Sequence, residues 1–275
     1  MTVHALLIPN VAWPELLARA RRLERLGVAG VWVDDHVLNP ADPGQPWLDA
    51  WSVLPALGAA TSRVRLGPLV ANGLLRSAVM LARHALSVDH ISGGRLELGL
   101  GAGYAAADRA AGERGQGDFA GLVATVHGAL RGQPVLDGLP ALAPVGEHPV
   151  PLTVAAHGGR ALGVAAAYAD RWVSYGGFGL DPARHLALTR RRLELLGEAC
   201  DQARRPRGAL RRMLLAGSPA VTAEPIWSSV AAVEDFTGRY REAGIDEFTF
   251  YYPPGAMWRD RKAEEVFADY VASAG

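Results

Sequence analysis

The sequence predicts an α/β protein that folds as one (β/α)8 TIM barrel domain over residues 1–275. The main observation is that short β-branched runs alternate with longer segments of helical periodicity eight times along the chain. A second is that the predicted strands are hydrophobic, as strands in the core of a barrel are. The third is size, because 275 residues lie near the upper limit of one hydrophobic core.

The first half of the chain supplies four of the predicted strands. The first strand, Val3 to Pro9, precedes a helix over 13–27, in which Pro14 stands near the start and Gly27 at the expected stop. The other predicted elements of this half are strands at 30–35, 64–72 and 95–103 and helices at 49–61 and 77–91.

The second half repeats the alternation after a helix within 119–130 and a Pro- and Gly-rich linker candidate at 132–151. Its predicted strands are 152–156, 171–175, 211–217 and 247–252, and its helices 159–169, 182–204, 228–244 and 259–272. A doubly wound sheet is the alternative. Against it, the GxGxG at 99–103 is not followed about 20 residues later by the acidic strand end that a dinucleotide fingerprint needs.

Composition excludes several classes of function. Twenty-eight basic and 28 acidic residues cancel, which gives no electrostatic reason to expect nucleic acid or a membrane as partner. Cys200 is the one cysteine, and no HxH, HExxH or GxSxG spacing occurs, so we predict no metal and no hydrolase elbow. The start of the chain lacks the pattern of a signal peptide and no stretch reaches 18 apolar residues, so we expect a cytoplasmic protein.

The second predicted strand leads into Asp34, Asp35 and His36. Barrel enzymes build their sites at the carboxyl ends of strands, and an imidazole changes protonation near neutral pH. Because neighbouring residues of a strand face opposite ways, Asp34 and His36 are expected on one side and Asp35 on the other. A polar strand cap without a role in chemistry is the alternative interpretation.

Glycine-rich turns follow the fourth and fifth predicted strands, at 99–103 and 157–159. Such turns leave backbone N–H groups bare at the start of a helix, which is a site for phosphate, although glycine also serves simple chain reversal. Aromatic residues concentrate at or just past strand ends, and those that line the barrel mouth suit a flat, conjugated ligand. They are Trp47, Trp51, Tyr104, Tyr175, Phe178, Trp227, Tyr251 and Tyr252.

Two blocks of the sequence, Thr61 to Tyr104 and Val154 to Gly176, resemble the bacterial luciferase-like flavin and deazaflavin oxidoreductases. The segment "VWVDDH" resembles the branch of that family that uses the deazaflavin coenzyme F420. The resemblance implies a luciferase-like barrel with reduced insertions and with the flavin or deazaflavin ring at its carboxyl-end mouth. An isoalloxazine-type ring needs an apolar wall, a phosphate anchor and a proton relay, and all three have candidates in this chain.

The resemblance also implies roles for single residues. Asp35 and His36 fall on the Asp-His pair of the deazaflavin branch, in which the histidine handles a proton over the ring. Leu69 and Val70 fall on a bulge behind the ring that often contains a non-prolyl cis peptide, and Asn72 falls on the ribityl-phosphate side. The remaining cofactor-binding candidates lie in the turns after the fourth and fifth strands: Ala102, Gly103, His157, Gly158, Arg160 and Ala161.

Two departures from the family bear on the substrate. Tyr104 stands where the sugar-phosphate dehydrogenase branch has a catalytic glutamate, which makes it a catalytic candidate here and puts that substrate in doubt. The stretch from Ala105 to Pro151 is short for the family, which indicates a reduced lid and an open mouth.

We therefore expect an oxidoreductase that uses deazaflavin coenzyme F420 for hydride transfer to or from a small organic or natural-product substrate. His36 would act as proton donor or acceptor. An FMN-dependent luciferase-like monooxygenase and a non-catalytic barrel that binds cofactor or ligand are the alternatives. The expected partner is a small molecule, with a homodimer kept open as the assembly.

Overall fold

The computed structural model describes residues 1–103, 105–112, 118–144, 146, 149–254 and 260–274. Parallel strands and helices alternate along this part of the chain. The strands are β1 (Thr2–Leu7), β2 (Gly30–Val33), β3 (Arg65–Pro68), β4 (Ala71–Asn72), β5 (Leu98–Gly101), β6 (Leu152–Ala155), β7 (Arg171–Ser174), β8 (Arg211–Ala216) and β9 (Glu247–Tyr252). The α-helices are α1 (Trp13–Leu26), α2 (Ala50–Ala60), α3 (Ala78–Ser92), α4 (Ala106–Ala111), α5 (Phe119–Leu130), α6 (Gly159–Tyr168), α7 (Pro182–Gln202), α8 (Val230–Ala243) and α9 (Arg261–Ala274).

The sheet is a barrel with eight strand positions. Its strands are paired in parallel in the order β3-β2-β1-β9-β8-β7-β6-β5-β4. The two end members, β3 and β4, are pieces of one predicted strand, interrupted at Leu69 and Val70 by a cis peptide bond. A parallel bridge between Leu66 of β3 and Leu96, just before β5, closes the barrel. The predicted (β/α)8 fold is confirmed, and so is the predicted interruption of the third strand.

Helix α1 illustrates why these residues form these elements. Pro14 lies in its first turn, and Gly27 ends it with a φ of 87°, a left-handed conformation that favours glycine. Its buried face consists of Leu16, Ala20 and Leu23, which lie three and four residues apart. Burial of each leucine side chain stabilises the fold by about 1.5–3 kcal/mol.

The floor of the barrel, at the amino ends of the strands, contains a buried ion-pair network. Arg171 is 1% exposed; its Nε donates to Glu247 at 2.6 Å, and it also pairs with Glu97. His4 Nε2 lies 3.2 Å from the same oxygen of Glu247, and the guanidinium of Arg171 lies 5.7 Å from the ring centre of Trp32. Above this layer Leu6, Trp32, Leu69, Val173 and Met213 form a compact interior cluster.

The ends of the chain lie side by side, as an eightfold barrel predicts. The amino group of Met1 donates to the carbonyl oxygen of Ala274 at 3.0 Å.

Within the described residues, no helix has both the length and the apolar character that crossing a membrane requires.

Two local predictions were wrong. Strand β2 ends at Val33, two residues earlier than predicted, because both neighbouring strands end there: Val33 pairs with Leu7, the last residue of β1, and with Pro68, the last residue of β3. The short helix α4 was not predicted, because six residues rich in alanine give no apolar periodicity. Both differences lie at the carboxyl-end face of the barrel.

Candidate active site

Two adjoining cavities open at the carboxyl ends of the strands. The smaller has a volume of about 270 Å³ and rests on side chains of the interior cluster, Leu6, Leu69 and Val173 among them. The larger, which we call the mouth chamber, has a volume of about 790 Å³. Asp34, Phe178 and Tyr251 line both cavities, so a ligand in one lies next to a ligand in the other.

Most of the residues predicted for the site meet around the smaller cavity. The residues from this set that line it are Asp35, His36, Leu69, Val70, Asn72, Ala102, Gly103, His157 and Ala161. Gly158 and Arg160 are exposed at the start of α6, beside this cavity but outside its lining. Tyr104 lies outside the described residues. No set of three His, Cys, Asp or Glu side chains in the described part of the chain is placed to hold a metal ion.

His36 lies between two carboxylates. Its Nδ1 atom is 2.6 Å from Oδ2 of Asp108 on α4, and its Nε2 atom is 3.3 Å from Oδ1 of Asp34. The second oxygen of Asp108 accepts the backbone N–H of Val37 at 2.9 Å. Asp34 and His36 thus face the same way, as expected, although strand β2 has already ended at Val33. The imidazole also lies near the ring of Trp47, with ring centroids 6.2 Å apart.

Burial and charge bring the titration of this cluster toward neutral pH. Burial by itself lowers the pKa of His36, but the carboxylates of Asp34 and Asp108 outweigh it and raise the pKa above its ordinary value of 6.5. Burial raises the pKa of Asp34 to about 6, an effect that the neighbouring His36 only partly offsets. Two groups whose pKa values are both raised are therefore in contact at the boundary of the two cavities.

Asp35 points to the other side and fixes the backbone. It is 2% exposed, and its Oδ2 accepts the backbone N–H of Asn72 at 3.0 Å and the guanidinium of Arg76 at 2.7 Å. The other arm of Arg76 donates to Asp49 at 2.7 Å, at the start of α2. Asp35 therefore ties the loop after β2 to β4.

In the wall of the smaller cavity beside His36, two backbone segments pack closely: the β3–β4 interruption and the turn after β5. Leu69 and Val70 present apolar side chains around their cis peptide bond. Gly103 has a φ of 77°, and a Cβ atom there would overlap Oδ1 of Asn72 and lie 2.7 Å from Cδ1 of Leu74. A side chain at Gly101 would overlap Val70 in the same way. These glycines let the turn after β5 lie directly against the β3–β4 interruption.

The first turn of α6 has the form of an anion site. Gly158 caps the helix without a side-chain hydrogen bond, and a Cβ atom at either Gly158 or Gly159 would meet nothing within 4 Å. The N–H groups of a helix's first turn have no partner within the helix and carry a partial positive charge. Arg160 adds a cationic side chain to this turn.

Two buried polar atoms at the smaller cavity lack partners among the described residues. They are Nδ2 of Asn72 and Nε2 of His157. Burial, followed by the charge of Arg192, lowers the pKa of His157 to about 4, so its imidazole is neutral at pH 7. The ring of His157 packs edge-on against Tyr175 with centroids 4.4 Å apart. Apolar walls, unpaired polar atoms and a bare helix start together fit a flat ring with a phosphorylated tail.

Several site residues were not found from the sequence. Asp108 lies on the unpredicted helix α4, and Arg76 precedes α3 without a recognisable motif.

The aromatic residues divide as expected between the mouth and the core. Those that line a cavity are Trp47, Tyr175, Phe178 and Tyr251, whereas Trp51, Trp227 and Tyr252 pack in or against the core.

Comparison with known proteins identifies relatives of the whole fold and of parts of the sequence. The profile of the family described as luciferase-like monooxygenase matches residues 2–262. A 5,10-methylenetetrahydromethanopterin reductase of Methanolobus tindarius is 32% identical over 142 residues, which are 50% of this chain and 41% of that protein. An F420-dependent glucose-6-phosphate dehydrogenase of Amycolatopsis mediterranei is 35% identical over 94 residues, 33% of this chain and 28% of that protein. The matched segments thus span less than half the length of these curated relatives.

Solved structures share the fold along almost the entire chain. An F420-dependent secondary alcohol dehydrogenase, in complex with an F420-acetone adduct, superposes with a TM-score of 0.79 at 16% identity and 98% coverage of both chains. The monooxygenase RslO1 of Streptomyces bottropensis superposes with a TM-score of 0.70 at 19% identity, covering 100% of this chain and 99% of that one. Because the identities are 16% and 19%, this similarity shows a shared fold alone.

Proposed function

The chain belongs to the luciferase-like monooxygenase family, and from this premise we propose that it is an oxidoreductase that uses deazaflavin coenzyme F420. It would transfer a hydride to or from a small organic substrate, with His36 as proton donor or acceptor. The observation that carries this proposal is the cluster of Asp34, His36 and Asp108 beside a cavity with an apolar wall and a bare helix start. The F420-dependent relatives and fold neighbours support the choice of cofactor.

The residues present fit this cofactor in three places. Leu69 and Val70 offer an apolar wall for the ring. Nδ2 of Asn72 is a buried donor without a described partner, and the start of α6 with Arg160 offers N–H groups and charge to a phosphate. A deazaflavin supplies a two-electron carrier that gives or accepts a hydride and does not readily activate oxygen.

The proton that accompanies the hydride is assigned to His36. With the Nδ1 hydrogen held by Asp108, Nε2 accepts the proton of a substrate hydroxyl in the oxidising direction and returns it to an oxygen in the reducing direction. Asp34 lies 3.3 Å from Nε2 and lines both cavities, and this position supports a role in relaying that proton. The side chains of His36 and Asp34 are 8% and 16% exposed, so most of their surface is shielded from bulk water.

An FMN-dependent monooxygenase is the second candidate. The family description and the fold neighbour RslO1, a monooxygenase, favour it. The two candidates differ in the fate of oxygen, because reduced FMN reacts with oxygen and a reduced deazaflavin does not readily do so.

The test is turnover in the wild type, His36→Ala and His36→Asn, with saturating deazaflavin and a panel of neutral secondary alcohols, and in reverse with the matching ketones. General acid–base catalysis by one group is typically worth about 10²–10⁴-fold, so His36→Ala should lose turnover by that factor. His36→Asn should keep cofactor affinity. Full activity in His36→Ala would remove the catalytic assignment, and oxygen-consuming turnover with FMN alone would favour the second candidate.

A further inference from the structure

The lining of the mouth chamber is almost without charge. Among its described lining residues Asp34 is the one acidic side chain, and neither lysine nor arginine is present. Proline, alanine and aromatic side chains form most of the remaining surface, contributed by the loop after β2, by the segment 105–107 and by the loop after β8. A ligand that fills this space therefore exchanges water mainly for apolar atoms.

Large apolar side chains stay in contact with water at this mouth. Leu38 and Phe178 line the chamber and are 44% and 50% exposed, and Val37 next to it is 42% exposed. Exposed apolar groups gathered at a concave surface are typical of a ligand site. Burial of this surface would favour binding of an apolar molecule, in proportion to the apolar area removed from water.

Two buried donors at the chamber are unpaired within the described residues. Oδ1 of Asn39 accepts the backbone N–H groups of Ala41 and Asp42, at 3.0 and 3.3 Å, which fixes the amide. Its Nδ2, on a residue 1% exposed, has no partner, and neither has Nε1 of Trp47. Both residues line the chamber. A buried donor without a partner destabilises the protein, and a ligand oxygen that accepts its hydrogen would offset that cost.

We propose that the mouth chamber binds an uncharged, mainly apolar molecule that carries at least one acceptor oxygen, such as a bulky ketone or secondary alcohol. The oxygen would accept hydrogen bonds from Asn39 and Trp47, near the boundary with the smaller cavity that Asp34 marks. This site rests on the proposed function only in that the same oxygen would be the one oxidised or reduced there. The described lining offers a hexose phosphate no cation, and its dianion would lie beside the carboxylate of Asp34.

Binding is tested on the purified protein without added cofactor, with Nile red as a neutral fluorescent probe. We expect saturable binding with a blue-shifted emission, and displacement of the probe by benzylacetone at lower concentration than by butylbenzene, which has the same carbon skeleton without oxygen. A hexose phosphate should not displace it. Displacement by the hexose phosphate, or equal displacement by ketone and hydrocarbon, would overturn the proposal.

Three variants locate the site. Leu38→Lys should weaken Nile red binding by about tenfold or more, because a desolvated ammonium opposes the apolar ligand. Ile91→Lys is the matched control. Ile91 is 48% exposed but lies at the C-terminal end of α3, at the opposite face of the barrel. The variant should bind Nile red as tightly as the wild type. Asn39→Asp keeps the oxygen that fixes the loop, loses the donor, and should reduce the preference for benzylacetone over butylbenzene.

The outcomes separate this proposal from the proposed function. If Leu38→Lys and Ile91→Lys bind Nile red equally, with melting temperatures near wild type, the mouth chamber is not the site. If Nile red binds as expected but the deazaflavin does not bind, the ligand site in the mouth chamber is supported and the proposed cofactor is wrong.

Discussion

Nδ1 of His36 lies 2.6 Å from Oδ2 of Asp108, a residue 72 positions later on a different element. The same carboxylate accepts the backbone N–H of Val37, so it fixes the imidazole and the loop that carries it together. A carboxylate at Nδ1 holds one tautomer and favours the imidazolium, which leaves Nε2 as the atom that exchanges a proton.

Substitution Asp108→Asn should therefore lower the pKa of His36. The wild-type pKa lies above 6.5, so the imidazolium persists to higher pH than in a free side chain. Asparagine can still accept the Nδ1 hydrogen but removes one of the charges that offset burial. An NMR titration of the His36 ring, assigned with His36→Asn, measures the shift.

The control for this titration is Asp118→Asn, an exposed aspartate at the start of α5 that makes no side-chain cap hydrogen bond. It should leave the His36 titration unchanged. A wild-type pKa at or below the ordinary value, or the same value in wild type and Asp108→Asn, would show that Asp108 does not tune the imidazole.

Asp34→Asn should stabilise the protein at neutral and alkaline pH. Burial raises the pKa of Asp34 from 3.8 to about 6, so the folded state holds its proton more tightly than the unfolded chain. The stability that this proton gives is present below 3.8 and is lost as pH rises through about 6. Since asparagine stays neutral, the variant should gain about 1–3 kcal/mol in free energy of unfolding above that pH.

Urea unfolding of the wild type and Asp34→Asn on both sides of this pH window measures the difference. The gain should vanish in acid, where both side chains are neutral. A variant that is less stable than wild type at alkaline pH would mean that the pairing with His36 outweighs burial.

Gly103→Ala should disturb the smaller cavity. Its φ of 77° and the overlap with Asn72 and Leu74 leave no room for a methyl group. The variant should lose about 1–3 kcal/mol of stability and bind the cofactor less tightly, because Asn72 is displaced. Gly94→Ala is the control: Gly94 has a φ of 81°, and a Cβ atom there meets nothing within 4 Å.

Thermal melts and cofactor titrations on both glycine variants separate the loss of stability from the loss of cofactor affinity. The control should lose stability from its backbone conformation alone and keep full cofactor affinity. Equal cofactor affinity in the two variants would separate Gly103 from the binding site.

The ion pairs of the barrel floor should support stability and not ligand binding. Arg171→Met removes the one fully buried cation between Glu97 and Glu247, which keep only the more exposed Arg65 and Arg211, and His4, as partners. We expect a loss of about 3–5 kcal/mol in the free energy of unfolding, measured with urea. Arg184→Met, which breaks an ion pair with Asp181 on a side chain 80% exposed, should change it by about 1 kcal/mol or less.

Nile red binding by Arg171→Met, in the absence of urea, should match the wild type, because the network lies at the amino ends of the strands. A stability change no larger than that of Arg184→Met would show that the buried network is not what holds the floor together.

The elements of the barrel were largely predictable because each carries its own local signal. Helix α1 has its period and Gly27, and the strands have β-branched runs. The meeting of Asp35, Leu69 and His157 also followed from the sequence, since parallel strands in a barrel end at one face. The helical period and the barrel topology were therefore sufficient to predict the fold and the meeting of these three residues.

The partners of these residues were not predictable, since they come from contacts distant in sequence. Asp108 lies on a helix too short to show a period, and nothing in its neighbourhood marks it as a partner of His36. Arg76 reaches Asp35 from 41 residues away, through a loop without a motif. The mouth chamber likewise depends on how separate loops pack, which no single segment encodes.

An equilibrium titration of the purified protein with coenzyme F420 and, separately, with FMN, followed by the absorption and fluorescence of each cofactor, measures which cofactor the protein binds. The cluster at His36 and the fit of the smaller cavity predict saturable binding of F420, tighter than that of FMN by about tenfold or more, which corresponds to 1.4 kcal/mol. Absence of saturable F420 binding, or tighter binding of FMN, would contradict the proposed cofactor.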